Sequence, residues 1–338
     1  MEIAARSKKH HVWRTLLHRA GLQKENLMNA KTITAQFILA LGLLGLFALV
    51  LSQQAENKTS TRLTRPDTPP PVVSVKPAAH YEFAGETVPF GKSFDLRERL
   101  DRELQIVAYR HSNTLDIIKL SGRYFPIFED ILREYDLPED LRYIAVAESG
   151  LRHLSSPAGA RGIWQFLKSS AEEYGLEISK DVDERLHVEK ATRAACQKLK
   201  DLYQRFDSWI LAAAAYNMGA SALADAIEKQ GSRSFFDLNL NDETSRYIFR
   251  ILAYKDLFER PEAFGYRIKK DELYKPLNNY KEVKVNKDVP SWAEFVRQHS
   301  RGHKQKLSYR MLKVYNPWLI SSGLKVKSGK TYRIRLPR

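Results

Sequence analysis

From Ile33 to Leu51 the chain reads ITAQFILALGLLGLFALVL, without a charge and with a single amide, Gln36. At a rise of about 1.5 Å per residue this stretch just spans a hydrocarbon core of ~30 Å, so it is expected to form a transmembrane helix. Arg6, Lys8, Lys9, Arg14, Arg19, Lys24 and Lys31 precede it, against only Glu2 and Glu25. A basic flank stays in the cytoplasm, which puts everything after Leu51 on the far side of the membrane. A cleaved signal peptide is the rival reading. Such a peptide has a short basic leader and an apolar core of about 7–15 residues, and both are exceeded here. The best cleavage site on offer, Val50-Leu51-Ser52, is poor. A buried core helix is the third reading, and the asymmetric charge of the flanks argues against it.

The expected organisation follows from this division. Residues 1–32 form a cytoplasmic basic segment, and 33–51 span the inner (cytoplasmic) membrane in a single pass. Residues 52–94 form a linker containing Pro66, Pro69, Pro70, Pro71, Pro77 and Pro89. Proline-rich chain stays extended and semi-rigid, so its role is that of a spacer. Residues 95–262 form an exported domain, and 263–338 a basic module. The chain of 338 residues has a net charge of +15. Counted by segment, 263–338 carries +14 while 95–262 carries −5. A slightly acidic body is no nucleic-acid clamp, and export from the cytoplasm also disfavours such a partner.

Between Phe94 and Glu262 glycine and proline are sparse, and apolar residues recur at helical spacing. The fold class expected is therefore mainly α. Helices are expected at Leu96–Tyr109, Thr114–Tyr135, Glu139–Ser149, Ile163–Tyr174, Val188–Phe206, Trp209–Met218, Ala220–Gln230 and Asp242–Phe258. Breaks fall at Asp136-Leu137-Pro138, Pro157-Ala158-Gly159, Gly175 and Gly231.

Glu148 asks for a functional explanation. In LPEDLRYIAVAESGL, helical spacing puts Leu141, Ile144 and Ala145 on the stripe that also carries Glu148. A carboxyl group on an apolar stripe is desolvated, which raises its pKa and keeps it protonated near neutrality. A general acid for glycosidic cleavage needs that protonation state. The alternative is a glutamate near a helix end that points to water beside Gly150.

The surrounding blocks bear on that choice. Residues 148–167 read ESGLRHLSSPAGARGIWQFL; further on come AAAAYNMGA at 212–220 and ETSRYIFRILAYKDL at 243–257. In order, these are a glutamate-serine, S-x-x-G-A-x-G-[LIM]-[WM]-Q, A-Y-N-x-G and a later tyrosine before an apolar helix. The set resembles the membrane-bound lytic murein transglycosylase D family, among the lytic transglycosylases of the goose-type lysozyme superfamily. The resemblance covers about residues 95–262 and implies a lysozyme-like all-α domain that cleaves peptidoglycan glycan strands.

Carried over residue by residue, it implies Glu148 as the catalytic acid and base. Ser156 would bond the substrate, and Gln165, Tyr216, Asn217 and Tyr247 would line the glycan groove. Each also has a plainer reading. Trp164 and Phe166, beside Gln165, are core packing or sugar platforms. Tyr216 and Tyr247 are core tyrosines or substrate contacts, Asn217 caps a helix or binds glycan, and Ser156 forms a turn or binds glycan. The implied reaction is cleavage of the bond from N-acetylmuramic acid to N-acetylglucosamine with closure of a 1,6-anhydro ring. It needs one carboxylate rather than a separated pair. A lysozyme-like hydrolase and a non-catalytic wall scaffold are the alternatives.

No cofactor or metal is expected. No G-x-S-x-G elbow, phosphate-binding glycine loop or calcium loop occurs. His299 and His303 are spaced i, i+4, but Arg301-Gly302 interrupts the helix and no carboxylate completes a zinc site. In the tail, strands are expected at Tyr280–Val285 and Lys330–Leu336 and helices at Ser291–His299 and Ser308–Tyr315. That β-α-α-β order resembles a divergent LysM-type glycan-binding module. Val289-Pro290-Ser291-Trp292 stands where such modules usually carry a G-[DE]-[ST]-like turn.

Overall fold

The structure is a computed structural model, and it describes residues 74–300 and 307–338. The span expected at 33–51 lies outside the described residues. Among the described residues no single helix is long and apolar enough to cross a membrane.

Eight helices build the larger part: α1 (Asp95–Tyr109), α2 (His111–Glu134), α3 (Arg142–Ser149), α4 (Lys168–Glu173), α5 (Val188–Phe206), α6 (Trp209–Met218), α7 (Ala220–Gln230) and α8 (Asp242–Glu259). The local chemistry of their ends explains where they start and stop. Ser208 Oγ accepts from Leu211 N at 3.1 Å and Asn241 Oδ1 from Thr244 N at 2.9 Å, capping α6 and α8. Asp242 and Glu243 then complement the dipole in the first turn of α8. Gly150 closes α3 in the left-handed conformation, φ 60°, and its N–H donates to Val146 O at 2.9 Å. Helix α8 runs through the core, packed on α1, α3 and α6. Ala212, Ala213, Ala214 and Ala215 are all buried, and side chains this small let the neighbours of α6 approach closely.

Two expected boundaries move. The end of the supposed linker belongs to the helical core. Val75, Tyr81, Phe83 and Val88 are buried there, and Glu82–Phe83 (β1) pairs antiparallel with Glu86–Thr87 (β2). The prolines of this segment suggested a spacer, but its interspersed apolar residues bury enough surface to fix the chain. Glu86 joins the α6 cap, its Oε2 accepting from Ser208 Oγ at 2.7 Å. At the other end Phe264 and Tyr266 also lie in the core, and Tyr266 Oη donates to Ala108 O at 2.9 Å. The helical unit therefore extends beyond 262.

The helix expected at Ile163–Tyr174 starts only at Lys168. Leu154–Ser155 (β3) and Arg161–Gly162 (β4) form a small hairpin instead. The chain then turns back so that Arg161 N donates to Phe166 O at 3.0 Å. Gln165 has φ 48° at the centre of that turn, a backbone conformation no α-helix contains.

In the C-terminal module, Tyr280–Val285 (β5) and Tyr332–Pro337 (β6) pair antiparallel, with Tyr280 opposite Pro337 and Val285 opposite Tyr332. Trp292–His299 (α9) and Tyr309–Tyr315 (α10) fall between the two strands in sequence and pack over a core that includes Trp292, Leu312, Trp318, Ile334 and Leu336. Asn316, fully buried, ties helix to strand. Its Nδ2 donates to Leu312 O and Arg335 O, and its Oδ1 accepts from Arg335 N at 2.8 Å. The described chain is mainly helical with a small β-α-α-β module at its end.

Candidate active site

Glu148 sits in the last turn of α3, where the consecutive residues Tyr143, Ile144, Ala145 and Val146 are all buried. Its side chain lines a cavity of ≈ 400 Å³ together with Glu103, Arg246, Arg250 and Tyr254. Burial is the main influence on the carboxyl group and raises its pKa to about 7. The Tyr247 hydroxyl opposes burial, donating to Glu148 Oε1 at 2.6 Å. The Lys198 ammonium and the Arg250 guanidinium pull in the same direction as the tyrosine. A carboxyl group with a pKa in this range is suited to both giving and taking a proton near neutrality.

Tyr247 is 1% exposed on α8, one turn from Arg250, so packing fixes its ring and aims the hydroxyl at Glu148. Tyr216 lies at the end of α6, its hydroxyl donating to Trp164 O at 2.8 Å. Its phenol pKa is pushed well up by burial and by the nearby Glu148 carboxyl. Lys198 Nζ stands 4.3 Å from the centroid of the same ring, a cation–π contact.

The other expected residues are engaged with the framework. Gln165 Nε2 donates to Gly162 O at 2.7 Å and Leu154 O at 3.1 Å, so its amide locks the loop. Ser156 Oγ accepts from Ala160 N at 3.0 Å across the β3–β4 turn. Asn217 Oδ1 accepts from Thr244 Oγ1 at 2.9 Å and joins α6 to α8. Trp164 and Phe166 are each 1% exposed, and Trp164 Nε1 donates to Thr192 Oγ1. Those two rings are core packing; neither offers a face to a sugar.

Glu148 also leans on the β3–β4 loop through its neighbour. Ser149 Oγ donates to Ile163 O at 2.8 Å. The loop in turn presses on the segment after it: a β-carbon at Gly162, φ 84°, would lie 2.0 Å from Arg185 O. Gly162→Ala is expected to lower stability by about 2–4 kcal/mol, since neither backbone gives way cheaply. Thermal denaturation measures this, and an unchanged midpoint would contradict the packing described.

Sequence reasoning passed over Glu103, Arg246 and Arg250. Glu103 is 1% exposed, with Arg246 Nε at 2.7 Å and Arg250 Nε at 3.8 Å. A carboxylate held between two guanidiniums is an ion-pair member, poorly suited to activating a water. Among the described residues no group of His, Cys, Asp and Glu is arranged to hold a metal ion.

One carboxyl group poised near neutrality beside a tyrosine, in a polar cavity of a helical domain, defines a candidate for single-acid glycosidic chemistry. Comparison with known proteins adds to this: residues 125–239 match the family model described as the transglycosylase SLT domain, and residues 281–338 match that of the soluble lytic transglycosylase C-terminal LysM-like domain. Among curated proteins it is similar to membrane-bound lytic murein transglycosylase D of Escherichia coli K12. The two are 29% identical over 196 residues, covering 56% of this chain and 42% of the relative. The protein of the same name from Escherichia coli O6:H1 matches to the same extent. The chain therefore spans less than half the length of the curated relatives it matches. Among solved structures, the 70 kDa soluble lytic transglycosylase of Escherichia coli aligns with a TM-score of 0.36 at 23% identity, over 41% of this chain and 24% of that one.

Proposed function

We propose that the protein is a peptidoglycan lytic transglycosylase that cleaves the N-acetylmuramic acid to N-acetylglucosamine bond and leaves 1,6-anhydro ends. The observation that carries this reading is Glu148, its pKa raised to about 7 by burial and its Oε1 bonded to Tyr247 at 2.6 Å. The protonated acid donates to the glycosidic oxygen as the bond to C1 of the muramyl residue breaks. The 2-acetamido group steadies the oxocarbenium-like centre. The Glu148 carboxylate then takes the proton of the muramyl 6-hydroxyl, whose oxygen closes on C1. The proton lost in the first step is regained in the second, and no water is consumed.

Tyr247 orients the carboxyl group through both steps, while Tyr216 and Asn217 form the groove wall on the adjoining α6. Gln165 and Ser156 shape the facing loop, with free valences left for sugar hydroxyls: a carbonyl oxygen on Gln165 and a hydroxyl proton on Ser156. The C-terminal module binds peptidoglycan. The segment at 33–51 anchors the chain in the inner membrane, with catalysis on the periplasmic side. The wording "membrane-bound" in the relatives' name supports the anchor.

The full chain, incubated with purified sacculi, is expected to release soluble muropeptides, and Glu148→Gln to release none. Retention on the sacculi without release by either protein would overturn the enzyme reading in favour of a wall-binding scaffold.

A further inference from the structure

We propose that the C-terminal module is a positioning element of the catalytic site: through residues 177–189 it holds the β3–β4 loop against Glu148, apart from any grip on the wall. This rests on the reading of Glu148 as the cleaving acid.

One face of the 177–189 segment is built into the module. Val182, fully buried, belongs to the module's hydrophobic core rather than to that of the helical unit. It bridges to Leu319, while Asp183 N donates to Trp318 O at 2.9 Å and Ile320 N to Asp181 O at 3.0 Å. Glu177 takes Lys330, the Tyr332 hydroxyl at 3.0 Å and Lys327 at 3.2 Å. Glu189 takes Arg335 at 2.8 Å.

The other face grips the catalytic loop. Asp183 Oδ2 meets Arg161 Nη1 at 3.0 Å and Arg185 Nη2 at 2.8 Å. Arg185 Nη1 donates to Gly159 O at 2.9 Å and Phe166 O at 3.2 Å, so one guanidinium ties both ends of the loop. Asp183 and Arg185 are 1% and 7% exposed, and buried, multiply bonded ion pairs of this kind specify one geometry rather than add much stability. The loop they fix supplies Ile163 O to Ser149 and Trp164 O to Tyr216, the two residues that flank Glu148 and its tyrosine partner. A tether has no need to reach into that loop. Here the module's core residue Val182 directly precedes the Asp183 clamp.

The test uses full-chain Glu177→Gln/Arg335→Ala, which loosens the module from the segment, and Asp183→Asn, which discharges the clamp while keeping its shape. Each is assayed on a soluble peptide-bearing tetrasaccharide, and again on sacculi, at a temperature where circular dichroism shows it folded. The proposal expects kcat on the tetrasaccharide to fall about tenfold with KM nearly unchanged, as for a catalytic group displaced by a fraction of an ångström. Arg335→Lys alone, which keeps a cation for Glu189 and leaves Glu177 intact, should hold tetrasaccharide kcat close to wild type. Tetrasaccharide kcat equal to wild type, with any loss confined to sacculi, would overturn it and leave the module a tether. A wild-type chain inactive on both substrates would instead sink the transglycosylase reading itself.

Discussion

Glu148→Gln is expected to reduce glycan cleavage by about 10³-fold or more while the protein stays folded. Glutamine has the shape of the protonated acid, so the packing of α3 is undisturbed, but it neither donates a proton to the leaving oxygen nor takes one from the 6-hydroxyl. The effect on stability has a definite sign. Burial raises the folded-state pKa of Glu148 from 4.5 to about 7, so wild type loses stability as pH rises across that window and the variant does not. Glu148→Gln should therefore melt with wild type at pH 4 and above it at pH 8. Substantial activity in the variant would remove Glu148 from the mechanism, and a melting curve lower at every pH would mean that the carboxylate is structural.

Tyr247→Phe gives the second large effect. The phenol donates to Glu148 Oε1 and so favours its charged form. Without that bond the carboxyl pKa rises further. With Glu148 as the proton donor, wild-type kcat/KM is expected to fall as pH rises through about 7. In Tyr247→Phe this falling limb should lie at higher pH, while the rate at the optimum drops about tenfold to a hundredfold because the carboxyl group is no longer held in one orientation. The ring is fully packed and phenylalanine fills the same volume, so the loss of stability should stay near 1 kcal/mol. An unshifted pH profile would show that Tyr247 does not touch the acid in solution.

The helical architecture was readable because its signals are local. Apolar spacing, the Ser208 and Asn241 caps and the terminal glycines lie within a few residues of what they determine. The desolvation of the Glu148 carboxyl group was readable for the same reason, since one apolar stripe marks it. That argument, applied evenly, also marks Glu103, which shares a helix face with Leu96, Leu100, Leu104 and Val107. What separates the two glutamates is not local. Arg246 and Arg250 arrive from α8, about a hundred and forty residues on, and neutralise one carboxylate, whereas a tyrosine from the same helix meets the other.

The β3–β4 loop was misread for a related reason. Ile163 to Tyr174 has helical composition, and the positive φ at Gln165 is imposed by bonds to Leu154 O and Gly162 O and by the Arg185 clamp. Composition likewise hid the burial of Val75 to Val88, because prolines mark a spacer only where no core is within reach.

The most direct measurement is mass spectrometry of the muropeptides released by the full chain in water enriched with the heavy oxygen isotope. If Glu148 alone serves as acid and then base, the products end in 1,6-anhydromuramic acid, lighter by one water than reducing ends, and carry no isotope label. Labelled reducing ends would contradict the account, since they require an attacking water and a second group to activate it.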